Sequence, residues 1–384
     1  MTISTFQTPS RVISGQGTIS LLGKELRRLG ASRVLLVIDP FLVQNGLAAS
    51  ASRIMETEGI VVSIFDGVEP DPRCEIPALA AQQAKKFKAD AVVAIGGGST
   101  LDIAKVASVL AVTDKDVRTF IGTDKIEHEG LKMVLIPTTA GTGSEVTNIA
   151  ILSDEQAHLK LGVVSSRLIA HAVLLDPELT CGLPPSGTAA SGLDALIHAI
   201  EAYTGNTATE QSDLYAEKAI RMISSNLRRA WARGDDMEAR QAMLMGAFYA
   251  GLAFSNSGCA AVHAFAYPIG AKFHIPHGIA NAIMLVPVLK RNIPSRMERY
   301  AAIAAMMGEN IDGLGARTAA GQIIVALQEL IADLRVDCHL SRYGVRPEHI
   351  PMISDSVMQV TRLLANNPYR ITRADAEAIY TEAL

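Results

Sequence analysis

Aromatic residues are scarce in this 384-residue chain: 5% in all, with one tryptophan, against 49% hydrophobic residues overall. An interior short of rings must be filled by Ala, Leu, Ile and Val, which favours helices packed on a parallel sheet. Cysteine is equally sparse. Cys74, Cys181, Cys259 and Cys338 lie far apart and form no CxxC pair. That excludes a disulfide scaffold and leaves buried or idle thiols in a reducing compartment. Neither sign of charge dominates: 35 Lys plus Arg face 39 Asp plus Glu, a net charge of -4. With no basic run either, nucleic acid is excluded as a partner. No apolar run approaches the roughly 20 residues that a membrane helix needs. The opening MTISTFQTPSRVISG has no apolar core of signal-peptide length. The expectation is a soluble cytoplasmic protein with no membrane partner.

What is present is organised in two halves. The first alternates strand and helix. Apolar, β-branched runs at 32–40, 60–67, 90–99 and 132–145 read as strands, with helical patterning between them. Runs such as VVAI and VLI are apolar on both faces, as in a parallel sheet covered on both sides. Residues 171–192 read as a Pro- and Gly-bearing connector, and beyond it the pattern is helical almost to the end. The chain divides near 182. Residues 1–182 read as an α/β domain, and residues 183–384 as an all-helical one. There is no internal repeat and no low-complexity segment.

Two glycine-rich segments end strands of the first half. Gly96, Gly97 and Gly98 follow one strand and precede a helix. Backbone there can approach a pyrophosphate, and the helix N-terminus offers free N–H groups. Ser99 adds a hydroxyl, and Asp102 reads as a first-turn acid. The triplet alone is as well explained by a tight turn. The second segment, with Thr138, Thr139 and Thr142 in TTAGTGSE, makes a nucleotide site the better account of the pair. Asp39 ends the first strand, where a carboxylate can accept from a ribose and repel a 2′-phosphate, favouring NAD over NADP. It serves equally as a helix cap. The order is not that of the ordinary Rossmann fingerprint, since the acid precedes the glycines and no GxGxxG exists. GQGTIS at 15–20 fails that pattern and follows no convincing strand.

The second half carries an acid and three histidines. Asp194 and His198 are four apart in DALIHAIEAY and share a face if that segment is helical. Glu201, three further on, can support them. His263 begins a short helix ended by Pro268 and Gly270, and His277 follows Pro276 at another helix start. Each residue alone is more simply an ordinary polar group. Together, one carboxylate and three imidazoles form a borderline ligand set suited to Fe(II) or Zn(II). A metal with an open position lowers an alcohol's pKa and polarises an aldehyde carbonyl. Beside a nicotinamide, that makes a dehydrogenase.

Over essentially the whole chain these segments resemble the iron-containing (group III) alcohol dehydrogenases. The markers are GGGSTLDIAK (96–105), IPTTAGTGSEVT (136–147), LLDPELT (174–180), GLDALIHAIEAY (192–203), HAFAYPIGAKFHIPHGIANAI (263–283) and NPYRIT (367–372). The resemblance implies a dehydroquinate synthase-like fold, an α/β dinucleotide-binding domain plus an all-α domain, with the site in the cleft. It implies metal ligation by Asp194, His198, His263 and His277. It implies NAD contacts from Asp39, Gly97, Gly98, Ser99, Thr138, Thr139, Thr142, Lys160 and Leu179, and a homodimer or larger homo-oligomer touching near Phe6. Many relatives read HAMAHP where this chain reads HAFAYP, so Tyr267 replaces a histidine; a phenol relays protons poorly at neutral pH. His274 is the candidate that restores a titratable group. Asp71, in Pro70-Asp71-Pro72, is a further cofactor candidate, and it departs from the Asn that relatives often carry in this segment. The expected activity is hydride transfer between NAD(H) and a small primary alcohol, diol or hydroxy-acid, or its aldehyde. The alternatives are a maleylacetate reductase-like or glycerol dehydrogenase-like enzyme, or a catalytically silent scaffold of the same fold.

Overall fold

The computed structural model describes residues 3–154 and 159–384. The chain forms two compact units: Gln7–Gly182, and Leu183–Leu384 joined by residues 3–6.

The first unit is built on β1 (Val12–Ser14), β2 (Arg33–Ile38), β3 (Val61–Phe65), β4 (Ala91–Gly96), β6 (Lys132–Pro137) and β9 (Ala172–Leu175). They form one parallel sheet in the order β1-β9-β6-β4-β2-β3. Helices α1 (Leu22–Arg28), α2 (Pro40–Gln44), α3 (Leu47–Glu56), α4 (Glu75–Phe87) and α5 (Gly98–Leu110) connect them. Val34 through Ile38 and Ala91 through Ile95 are completely buried. That is why these strands read as unbroken apolar runs rather than alternating ones. Each such aliphatic side chain contributes about 1.5–3 kcal/mol of burial. A smaller sheet joins β5 (Gly122–Thr123), β7 (Ile149–Asp154) and β8 (Leu159–Val164), and it has no counterpart in the sequence reading.

Register decides what leaves the sheet together. Ile38 pairs with Ile95, and Gly96 with Pro137. Asp39, Gly97 and Thr138 therefore exit at the same carboxyl edge. The chain steps from β2 to β3 on one side, then returns to place β4 on the other. The reversal between β2 and β4 is the place where open α/β sheets bind ligands.

Two expectations are corrected here. Ala172–Leu175, read within a connector, is an interior strand between β1 and β6. Its apolar run is only four residues long and ends in Asp-Pro, too short to show a period. The segment at 15–20 does follow a strand, the short β1. Its N–H groups are spent on protein: Gly17 and Ile19 donate to the buried Asp176 carboxylate at 3.1 and 3.0 Å.

The second unit contains α6 (Pro185–Thr204), α7 (Glu210–Ala232), α8 (Met237–Ser257), α9 (Ala261–Phe273), α10 (His277–Asn292), α11 (Met297–Met306), α12 (Ala316–Asp333), α13 (Ile350–Met358), α14 (Thr361–Asn366) and α15 (Arg373–Ala383). Helix α9 continues through Pro268 to Phe273, past the expected stop. A proline there removes one N–H from the helix, yet buried neighbours on α9 hold it. Phe6, named as a candidate intersubunit contact, stacks on Tyr215 within the chain, with ring centroids 5.5 Å apart. Among the described residues no helix is long and apolar enough to cross a membrane.

Candidate functional site

Three helices each present a pair of polar residues at i and i+4, the spacing that shares one face. Helix α6 presents Asp194 and His198, with Glu201 on the same stripe. Helix α9 presents His263 and Tyr267, and α10 presents His277 and Asn281. Gly278 lets α10 start against α6, because a Cβ there would collide with the backbone of Ala190. The faces meet in the interior: Asp194, His198 and His263 are 2%, 5% and 2% exposed.

Asp194 is the hub. Its Oδ1 lies 3.7 Å from both His263 Nε2 and His277 Nε2, and its Oδ2 lies 4.0 Å from His198 Nδ1. These separations are too long for hydrogen bonds and suit donors arranged around a shared cation. Burial works to raise the Asp194 carboxyl, but His198, His277, His263 and the Asn281 amide outweigh it and hold it below its ordinary range. Asn281 Nδ2 donates to Asp194 Oδ1 at 2.7 Å and lies 3.2 Å from His277 Nε2.

Orientation comes from Glu201. Its Oε1 accepts from Val262 N and its Oε2 from His263 Nδ1, at 2.6 and 2.5 Å. A carboxylate can only accept, so Nδ1 carries a proton, and Nε2, on the Asp194 side, is the nitrogen turned toward the cluster. His198 is sandwiched between Phe254 and His263, with ring centroids 4.2 and 4.5 Å away. Buried, His198 Nδ1 and His263 Nε2 find no partner. Two orphaned ring nitrogens beside a carboxylate are the chemistry of a metal centre, and this donor set fits a divalent ion.

Two members of this cluster escaped the sequence reading. Asn281 stands to His277 as His198 stands to Asp194, so the same spacing rule identifies it. Cys259, read as idle, sits between α8 and α9, its sulfur within 4.8 Å of ring nitrogens of His198 and His263. Burial works to raise its thiol, while the two imidazoles pull it down to about 7. Tyr267 lies beside His277, with ring centroids 6.1 Å apart, and burial raises its phenol above the ordinary value. His274 is exposed, caps α9 in a left-handed conformation (φ 54°), and belongs to neither cluster of candidate ligands.

In the first unit the two small-residue segments pack on each other. A Cβ on Gly98 would come within 2.7 Å of Thr142, and one on Gly97 would touch Thr139 at 3.5 Å. Thr138 N donates to Gly96 O at 3.0 Å. Helix α5 starts at Gly98, so its N-terminal N–H groups open at this spot. Asp102 is thus the fifth helical residue rather than a first-turn acid. It accepts from Ser144 Oγ at 2.5 Å and Ile151 N at 2.8 Å, tying the second segment down. Asp39 caps α2 by accepting from Phe41 N at 2.8 Å. Asp71 N is hydrogen-bonded to Ser99 Oγ at 3.2 Å, and its carboxylate pairs with Lys160 Nζ at 2.6 Å. Leu179 is partly buried against the sheet core. Ser99, Asp71 and Lys160 are therefore linked by the chain's own contacts, beside the segments that carry Thr138, Thr139 and Thr142.

Comparison with known proteins covers both units. The family described as iron-containing alcohol dehydrogenase matches residues 9–177, and the C-terminal region of the Fe-containing alcohol dehydrogenase family matches residues 188–384. A relative from Geobacillus thermodenitrificans (strain NG80-2), long-chain-alcohol dehydrogenase 1, is 41% identical over 372 residues, covering 96% of this chain and 94% of its own. An NAD-dependent methanol dehydrogenase from Bacillus methanolicus is 33% identical and covered in full, as is this chain (100% of each). A crystal structure of a 1,3-propanediol oxidoreductase superposes with a TM-score of 0.97 at 34% identity, covering 100% of both chains. The chain belongs to the iron-containing alcohol dehydrogenase family and is an oxidoreductase of alcohols and aldehydes that uses NAD(H) and a metal.

Proposed function

We propose that this protein is a cytoplasmic, homo-oligomeric Fe(II) enzyme, with Zn(II) the alternative metal. It moves a hydride between NAD(H) and a small primary alcohol, diol or hydroxy-acid, or the corresponding aldehyde. The carrying observation is the pair of orphaned nitrogens, His198 Nδ1 and His263 Nε2, beside the Asp194 carboxylate. Asp194, His198, His263 and His277 hold the metal. When bound, it supplies Lewis-acid polarisation of the substrate oxygen. Residues 1–182 serve the cofactor, through Asp39, Asp71, Gly97, Gly98, Ser99, Thr138, Thr139, Thr142, Lys160 and Leu179. Asp102 acts indirectly, by fixing the segment around Ser144. Residues 183–384 serve the metal and substrate.

Glu201 keeps His263 in the tautomer that presents Nε2. Tyr267, its phenol held protonated beside His277, is able to donate a hydrogen bond and gives up no proton near neutrality. His274 is read as a proton relay, and an unchanged pH–rate profile in His274→Phe removes that role. Two of the relatives' names, methanol and 1,3-propanediol, are of primary alcohols, which is the class assigned here. Retention of all four ligands argues against the metal-free maleylacetate reductase type. The test is to strip the protein with a chelator under reducing conditions, reload Fe(II) or Zn(II), and follow NADH oxidation with a panel of primary aldehydes. Turnover returning with metal is expected. Turnover surviving full metal removal, or none with any aldehyde after reloading, overturns the reading. Sedimentation of the purified protein reads the oligomeric state.

A further inference from the structure

The metal centre has a donor that the Asp–His–His–His set leaves unused. Cys259 Sγ and one ring nitrogen each of His198 and His263 all lie within 4.8 Å of one another. The two histidines are the same ones whose buried nitrogens, Nδ1 of His198 and Nε2 of His263, lack partners. The sulfur is set there by local structure. Helix α8 ends at Ser257 and α9 begins at Ala261, so residues 258–260 form a tight link between two helices that line the cluster. Asn366 Nδ2 donates to the carbonyls of Ser257 and Cys259, at 2.8 and 3.1 Å, and pins that link. Cys259 is therefore held next to the imidazoles by the packing of its own backbone.

Donor chemistry differs across the cluster. Asp194 and His277 offer oxygen and nitrogen, and Cys259 offers sulfur; His198 and His263 stand between. Thiolate favours Zn(II), Co(II) and Cd(II) over harder ions such as Mn(II), while carboxylate does not discriminate in that way. We propose that Cys259 is a fifth metal donor, which with His198 and His263 gives the centre a second, softer face for thiolate-preferring divalent ions. Binding there forms the metal–sulfur bond and releases the thiol proton to solvent. Which metal the protein carries then depends on the sulfur as well as on the four ligands already named.

The proposal rests on the metal centre described above, and one spectrum separates the two. Protein freed of metal and titrated with Co(II) shows visible d–d bands if the centre binds at all. It shows a near-ultraviolet thiolate-to-cobalt charge-transfer band only if a sulfur ligates. The expected result is both in the unaltered protein, with Cys259→Ser and Cys259→Ala keeping the d–d bands and losing the charge-transfer band. Zn(II) affinity, read by competition with a chromogenic chelator, falls about tenfold or more in both variants. Mn(II) affinity changes by less than about twofold. The d–d bands without charge transfer in the unaltered protein overturn the role of Cys259 and leave the metal centre standing. So does a charge-transfer band that survives both substitutions, which assigns it to Cys74, Cys181 or Cys338. Absence of d–d bands overturns the centre, and the proposal with it.

Discussion

The two units each bury a cluster of charged side chains, and the clusters are finished differently. In the first unit Lys105, with no exposure, donates to Ser144 Oγ, Thr147 Oγ1 and Ile149 O at 2.8, 2.9 and 2.9 Å, and Asp102 lies 3.8 Å away. An ammonium has three protons, and all are used. No atom of Asp102 or Lys105 is left without a partner. In the second unit, the cluster around Asp194 keeps two imidazole nitrogens orphaned. A closed network fixes backbone, here pinning the TTAGTGSE segment to α5. An open one is completed from outside, and it costs stability until that happens. The contrast separates a buried charge that holds backbone in shape from one whose donor atoms are left open.

The strongest way to break the contrast is to remove a donor from the open cluster. His263→Ala deletes the ring shared by both sets of candidate ligands. Activity with reloaded metal should fall by about 10³-fold or more, with bound metal, measured by elemental analysis, lost in parallel. Retained metal at full occupancy would show that the ring is not a ligand. The matching cut in the closed cluster is Lys105→Met, which leaves Asp102 without its buried counter-charge. That should cost about 3 kcal/mol, with a drop in Tm of about 4–8 °C, while the metal content of folded protein stays unchanged. Metal lost with the fold still intact would show that the closed cluster reaches the metal after all.

A finer cut tests orientation rather than ligation. Glu201→Gln keeps the size of the side chain but removes the charge that fixes His263 Nδ1–H. Metal affinity should weaken by about 10–100-fold, measured by chelator competition, with little change in Tm. Glu201 also shows how legible the site was. Spacing alone placed Asp194, His198 and Glu201 on one stripe, and helix α6 sets them there. Strands β2, β4 and β6 were legible because burial on both faces writes them as unbroken apolar runs, while β3, an edge strand with Val61 and Ile64 exposed, was legible from its β-branched residues and its bounding turn residues. Strand β9 was not: four residues carry no period, and its place between β1 and β6 is a matter of long-range pairing. Cys259 was invisible for a similar reason. Its approach to His198 depends on how α8 and α9 pack, and nothing local to the sequence records that.

The subtlest effect is a pH dependence confined to the closed cluster. Burial raises Glu145 from its ordinary 4.5 to about 7, against the pull of Lys105. A group with a raised folded-state value favours folding below its unfolded value, and that contribution is lost as pH rises through the folded one. Glu145 therefore lowers stability progressively from about pH 4.5 to about pH 7. Lys105 runs the other way: burial lowers it from 10.5 to about 8. Its contribution is present above 10.5 and lost as pH falls through 8, so below pH 7 it is protonated both folded and unfolded and adds no slope. Asp102, also raised by burial, is common to parent and variant and cancels in their difference. Glu145→Gln should therefore gain on the parent across that window, by up to about 3 kcal/mol at its upper end. Denaturant unfolding at pH 4.5 and pH 7.5 reads the difference directly. A gap that stays constant between the two would mean that Glu145 is ionised throughout, and that the closed cluster holds one more charge than its geometry implies.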